Sequence, residues 1–228
     1  MIEFVSATRL TKDEFWEKSA LGRSLTRIEP ADHERFVARV AYENSRGLPA
    51  VFNERIEATP PDHILVFLHD DLWIDDLFIC DHLEEAVHEF HVVGVSGNAR
   101  RTPMQPSWAF RVADNVVDWD DAAHLRGAIA HGPEPFGKVT RYGPTYEECE
   151  LLDGVFLAVR AGTLADSGLR FDTRFDFHFY DLDFCRSARE KGLRLGCWPV
   201  ALTHQSAGNY RTPSWQAGYE RYIAKWKS

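Results

Sequence analysis

The stretch Ile64-Leu65-Val66-Phe67-Leu68-His69-Asp70-Asp71 decides how this chain folds. Five consecutive apolar residues, β-branched and aromatic among them, predict a central strand covered on both faces. Three ionisable groups follow without a break. In an open α/β sheet a ligand lies in the crevice outside the carboxyl ends of the strands, which is where His69, Asp70 and Asp71 fall. Buried charges must be paired or bind a metal, so the stretch sets acids where a divalent cation and a phosphate would meet. Taken alone, the same residues also fit the polar start of a solvated loop, the commoner reading of an acidic pair after a strand.

Outward toward the N-terminus, Pro60-Pro61-Asp62 launches the strand, and Leu48 to Ala58 has helical spacing through Val51, Phe52 and Ile56. Pro49 falls in its first turn, where proline is tolerated. Phe36 to Tyr42 predicts a strand that ends in the polar turn 43–47. Residues 2–7 predict another, followed by a helix from Lys12 to Ser19 that Thr11 caps. On the other side, residues 76–89 carry apolar positions Leu77, Ile79, Cys80, Leu83 and Val87 at helical spacing. His91 to Ser96 is a further apolar strand. From Asn98 to Glu150 no period is sustained, but Trp108, Phe110, Trp119, Phe136, Tyr142 and Tyr146 argue for an ordered excursion over a cleft. Pattern returns with Leu151 to Arg160, a strand broken by Asp153-Gly154, then a helix from Phe179 to Lys191 closed by Gly192, and a strand from Leu193 to Thr203. Trp215, Tyr219, Tyr222 and Trp226 form a helical stripe expected to be a packing face, with a membrane or partner site left open by Lys225 and Lys227. Strands alternating with helices indicate an α/β domain.

Composition narrows the classes. The 228 residues are long enough for a substantial core, with 44% hydrophobic and 27% charged residues. A formal net charge of -9 with no basic stripe argues against a nucleic-acid binder. The four cysteines, Cys80, Cys149, Cys185 and Cys197, lie far apart without zinc-ligand spacing and are expected to be reduced structural thiols. Met1-Ile2-Glu3-Phe4-Val5 lacks the pattern of a signal peptide. No apolar run approaches the ~20 residues of a membrane span, so a cytoplasmic enzyme is the expectation.

Two further groups carry chemistry. In Phe175-Asp176-Phe177-His178-Phe179-Tyr180-Asp181-Leu182-Asp183-Phe184-Cys185, aromatics surround acids at the start of a helix. The helix N-terminus favours an ionised carboxylate while burial opposes it. Such a group could take a proton from a substrate hydroxyl as general base; helix capping is the simpler alternative. His204, in Thr203-His204-Gln205-Ser206-Ala207-Gly208, stands just past a strand. It suits a metal ligand followed by small residues that permit close backbone approach, or a hydrogen-bonded structural histidine.

The order of strand, acidic cluster, long excursion, Asp-Gly strand, acidic helix start and terminal histidine resembles the inverting glycosyltransferases of family 2, with the GT-A fold. Gly47-Leu48-Pro49-Ala50-Val51-Phe52-Asn53-Glu54-Arg55-Ile56, followed by the 64–71 stretch, resembles the family's Asn-bearing helix and DxD strand. Leu151 to Arg160 resembles its acceptor-side strand, and Phe171-Asp172 through Cys185 its base-carrying acidic motif. The resemblance spans roughly residues 2–210. Val5-Ser6-Ala7-Thr8-Arg9 and the His69-x-Asp71 form are similar to a streptomycin-cluster, StrF-like branch.

The resemblance implies an α/β fold of GT-A type, a Rossmann-like mixed central sheet flanked by helices. It implies a single domain over 1–228, with 1–97 as the nucleotide-sugar-binding half and 98–228 as the acceptor-binding and catalytic half. Asp71 matches the second acid of the DxD motif, which holds the metal, and His204 matches the histidine that approaches it. His69 replaces the first acid, a departure that implies either an altered contact with ribose or metal at this position or a reduced metal affinity. Asp181 matches the catalytic Asp, with Tyr180 where the family has Glu. Thr8, Arg9, Glu43, Asn44, Asn53, His69 and Asp70 fall on the nucleotide-sugar side. Asp153 and Gly154 fall on the acceptor side, with Trp108 as a sugar-stacking aromatic.

The activity so implied is metal-dependent transfer of a sugar from a nucleotide-diphosphate donor, UDP by family frequency, to an acceptor hydroxyl on a glycan or small molecule. Mixed oxygen and imidazole ligation fits Mn²⁺ at least as well as Mg²⁺. A homo-oligomer is left open. Two rivals stand beside this reading. A nucleotidyltransferase would carry a Gly-rich basic N-terminal loop, which Val5-Ser6-Ala7-Thr8-Arg9 lacks. A non-catalytic module binding a nucleotide-sugar or glycan draws support from His69.

Overall fold

The computed structural model describes residues 1–114, 116–206 and 210–227. In chain order they form β1 (Ile2–Ala7), α1 (Lys12–Lys18), α2 (Ala20–Asp32), β2 (Phe36–Ala41), α3 (Leu48–Ala58), β3 (Ile64–Leu68), β4 (Leu72–Ile74) and α4 (Ile79–Glu89). Next come β5 (Val92–Gly94), β6 (Ser96–Asn98), β7 (Phe110–Ala113), β8 (Val116–Trp119), β9 (Leu125–His131), β10 (Lys138–Arg141) and β11 (Glu147–Cys149). The chain closes with β12 (Leu151–Leu152), β13 (Phe156–Arg160), α5 (Ala161–Ser167), α6 (Tyr180–Glu190), β14 (Leu195–Cys197), β15 (Leu202–His204) and α7 (Pro213–Trp226).

As its apolar run predicts, β3 is buried along its whole length. It pairs in parallel with β1 and antiparallel with β13, inside a seven-stranded sheet ordered β11-β14-β5-β13-β3-β1-β2. Alternation sends Leu65 and Phe67 to one face, against α3, α5 and α6. Ile64, Val66 and Leu68 go to the other, against α1, α2 and α4. The expected mixed central sheet flanked by helices is therefore present.

A second sheet, ordered β12-β6-β9-β15-β4 with β10 on β9, stands at the carboxyl end of β3. The expected strands over 91–96 and 193–203 are each split between the two sheets. β5 and β14 stay in the central sheet, while β6 and β15 belong to the second. Pro199 has no N–H for a ladder, which breaks the second run. The Leu151–Arg160 strand divides at Asp153-Gly154 as expected, with β12 in the second sheet and β13 in the first.

The Thr11 cap is a full capping box with Glu14. The following helix, α2, has no counterpart in the sequence reading. Ser19 both ends α1 and caps α2, its Oγ accepting from the Gly22 N–H at 2.9 Å, so no turn residue separates the two. The 98–150 excursion is ordered at its root. Asp120 is buried and paired with Arg100, and Asn98 donates to it at 2.8 Å and to the Trp108 carbonyl at 2.9 Å.

The stripe on α7 packs as expected. Tyr222 is buried, and Trp215, Tyr219, Ile223 and Trp226 lie against the core. Lys225 bridges Asp172 at 2.7 Å and Asp183 at 2.6 Å, and Trp226 Nε1 donates to Asp183 at 2.9 Å. All four cysteines are free and buried. Among the described residues no helix is long and apolar enough to cross a membrane.

Candidate active site

Ladder register, rather than sequence proximity, brings the chemistry together. β15 pairs antiparallel with β4, placing His204 opposite Leu72. The Gln205 N–H bonds the Asp71 carbonyl at 3.0 Å. His204 Nε2 thereby comes 3.3 Å from Asp71 Oδ1, and His69 Nδ1, at the end of β3, lies 4.0 Å from the same oxygen. One ligand atom from each of His69, Asp71 and His204 lies within 4.8 Å of the others. Asp71 Oδ1 is buried, and the His204 contact lacks hydrogen-bond alignment, so this oxygen has no hydrogen-bond partner among the described residues. Burial pushes the Asp71 carboxyl up, but the His204 imidazole, then His69 and Ser206, outweigh it and hold it at about 2. Burial lowers His204, and Asp71 more than reverses that. An ionised carboxylate oxygen without a hydrogen-bond partner among the described residues, flanked by two imidazoles, fits a divalent cation. Ala207 and Gly208, read as allowing close approach to a ligand, lie outside the described residues.

Asp181 opens α6, whose N-cap Phe179 holds a left-handed φ of 66°. Its Oδ2 accepts the Gly154 N–H at 3.0 Å. Part of its surface stays open to the cavity, but desolvation, then the charge of Asp153, push its carboxyl up to about 7 against the backbone N–H groups of Leu182 and Gly154. A carboxyl poised there can take a proton near neutrality.

Both groups face one cavity of about 610 Å³. Asp70, Asp153, Gly154 and Trp108 also line it. Trp108 is only 6% exposed and meets Tyr142 edge-on at 4.9 Å, so it builds the wall. The accessible aromatic surface belongs to Trp119, Phe177 and Tyr210, each about half exposed. Trp119 stacks on Tyr142 at 6.0 Å. His131, 6.1 Å from His204 between ring centres, also lines the cavity. The sequence carried no signal for it, because its position follows from the pairing of β9 with β15.

The remaining expected nucleotide-side residues do not line this cavity. Thr8 is buried, its hydroxyl accepting the Leu10 N–H at 3.2 Å. Arg9 is exposed. Glu43 takes a left-handed φ of 48°, and the Asn44 side chain closes a turn onto Arg46. Asn53 differs most from expectation. Its Nδ2 donates to the Phe171 carbonyl at 2.8 Å and its Oδ1 accepts the Phe171 N–H at 3.0 Å. Both ends of its amide are spent pinning the segment before α6 to α3. Asn53→Ala is expected to cost about 1–3 kcal/mol by stranding the backbone groups of Phe171. A lower denaturation midpoint at unchanged slope checks this; an unchanged midpoint refutes the pin.

No family model matches this chain, and a search of curated proteins finds no match. Solved structures give matches along most of its course. The crystal structure of S. aureus TarS 1-349 matches at a TM-score of 0.49 and 11% identity, over 98% of this chain and 64% of that one. GalNAc-T7 with UDP, GalNAc and Mn²⁺ matches at 0.47 and 10%, over 98% and 47%. The mannosyltransferase PcManGT from Pyrobaculum calidifontis, in complex with GDP-Man and Mn²⁺, matches at 0.46 and 13%, over 97% and 59%. The chain thus spans less than two thirds of each of these structures. At such scores and identities the likenesses assign neither substrate nor residue role to it.

Proposed function

We propose that this protein is a metal-dependent inverting glycosyltransferase of family 2 type, in a StrF-like branch of the GT-A fold. It moves a sugar from a nucleotide-diphosphate donor, UDP by preference, to an acceptor hydroxyl. The observation that carries this reading is one cavity lined by both a half-buried His-Asp-His group and a carboxyl held near neutrality.

In this reading Asp71 and His204 hold Mn²⁺ or Mg²⁺. When bound, the cation offsets the charge that grows on the departing diphosphate. Asp181 takes the proton of the acceptor hydroxyl as that oxygen bonds the anomeric carbon. The bond to the diphosphate breaks on the opposite face, and the configuration inverts. Residues 1–97 supply the donor side and 98–228 the acceptor side and the base, in a cytoplasmic enzyme. The open faces of Trp119 and Tyr210 suit the apolar face of a sugar ring. No Lys or Arg lines the cavity among the described residues. An acceptor without acidic groups therefore fits best.

The test is release of nucleoside diphosphate from a panel of nucleotide-sugars, with and without Mn²⁺. Release that needs Mn²⁺ and stops with EDTA supports transfer. Donor binding without release under any acceptor would instead mark a binding module. Pyrophosphate release from a triphosphate would mark a nucleotidyltransferase.

A further inference from the structure

The hydrogen bonds around Tyr180 have a direction that donor counting fixes. Its hydroxyl oxygen lies 2.7 Å from the Gly154 carbonyl oxygen and 3.0 Å from His69 Nε2. A hydroxyl carries one proton and a carbonyl can only accept, so that proton goes to Gly154. The Tyr180 oxygen must then accept from His69 Nε2–H. A neutral imidazole protonated at Nε2 has a bare Nδ1, the atom 4.0 Å from Asp71 Oδ1. The ring is held in this orientation by Phe177, stacked at 5.6 Å. The N–H of the same Gly154 goes to Asp181 Oδ2. A Cβ on Gly154 would stand 2.6 Å from Asp181 Cβ and 2.7 Å from the Tyr180 hydroxyl, so only glycine permits both contacts.

We propose that Tyr180 is a positioning residue for the metal centre. It locks His69 in the Nε2–H tautomer, which makes Nδ1 a third ligand beside Asp71 and His204, and through Gly154 it ties that ligand to Asp181. Without the hydroxyl, His69 can carry its proton on Nδ1 and give it to Asp71, which blocks the ligand atom. The inference rests on the metal reading proposed above.

Mn²⁺ titration of the wild-type protein, Tyr180→Phe, His69→Ala and the double variant tests it. Loss of an outer-shell partner of a metal-bound histidine typically costs 10–100-fold in affinity. Tyr180→Phe is therefore expected to bind Mn²⁺ about 10- to 100-fold more weakly. The double variant should bind no more weakly than His69→Ala alone, because both changes act through one ring. Wild-type affinity in Tyr180→Phe, or additive losses in the double variant, overturns the proposal. Nitrogen NMR of His69 in the metal-free wild-type protein tests it without any variant: Nε2–H is expected, and Nδ1–H overturns it. Wild-type protein that takes up neither Mn²⁺ nor Mg²⁺ overturns the metal reading, and the proposal with it.

Discussion

Asp181→Asn is expected to lower turnover by about 10²- to 10⁴-fold, the range over which a positioned acid or base contributes. Donor affinity should change little, since in the proposed mechanism the lost group acts on the acceptor proton. The same substitution should stabilise the fold at alkaline pH. Desolvation and then Asp153 raise the Asp181 carboxyl to about 7, well above the usual carboxylate range. A raised carboxyl favours the folded state below its unfolded pKa, and this contribution is lost as pH rises through 7. Above pH 7 the fold carries an ionised, desolvated carboxylate, at a cost of at most about 4 kcal/mol. Asparagine keeps an oxygen for the Gly154 N–H and removes that charge. Its melting temperature should exceed that of the wild-type protein at pH 8 and approach it at pH 5. The acidic limb of the wild-type rate profile should lie at or below pH 7, because a bound cation adds to the backbone N–H groups that favour the ionised form. An Asp181→Asn protein with near-normal transfer removes Asp181 as the base.

Asp71→Asn is expected to abolish measurable Mn²⁺ uptake at micromolar metal and to lower transfer by about 10²-fold or more. A metal supplies several kcal/mol of transition-state stabilisation, and each 1.4 kcal/mol is about tenfold. The substitution removes the one carboxylate of the group and leaves two imidazoles with no anion between them. The acid limb of stability should change as well. The Asp71 carboxyl is held at about 2, below the usual carboxylate range. Its contribution is present above the unfolded pKa and is lost as pH falls toward 2. The variant should therefore lose stability near neutrality, while the gap to wild type closes below pH 3. Isothermal titration with Mn²⁺ and melts across pH separate the two effects. Wild-type Mn²⁺ affinity in Asp71→Asn would move the metal elsewhere.

The central strand, the helices α1, α3, α4 and α6 and the break at Asp153-Gly154 were legible because each has a local cause: an apolar run, a cap or helical spacing, a glycine; α2 and α5 were not. The α1–α2 corner was not, since Ser19 serves two helices and leaves no turn residues to see. The split of 91–96 and 193–203 between two sheets was equally hidden, because an apolar run looks the same whichever sheet its ends join. At the site, Asp71, His204 and Asp181 were visible as polar residues at element ends. Tyr180 was visible in the sequence only as a departure from a family pattern, and its donor role depends on a carbonyl distant in the chain. Asn53 misled in the opposite way: an amide on a helix near the acidic strand suggests a ligand contact, yet its partner is the backbone of Phe171.

The pairing of β4 with β15 has a further consequence. Asp71 and His204 meet because Leu72 stands opposite His204 in that ladder. Side chains along a strand alternate faces, so a shift of one position reverses the direction of every residue beyond it. One extra residue between Thr203 and His204 would point the imidazole away from Asp71 while every site residue remained in the chain. Length changes of a single residue in these two short strands should therefore harm the centre more than most substitutions beside it. Additions in the hairpin of β7 and β8, which pairs with neither sheet, should leave the centre intact.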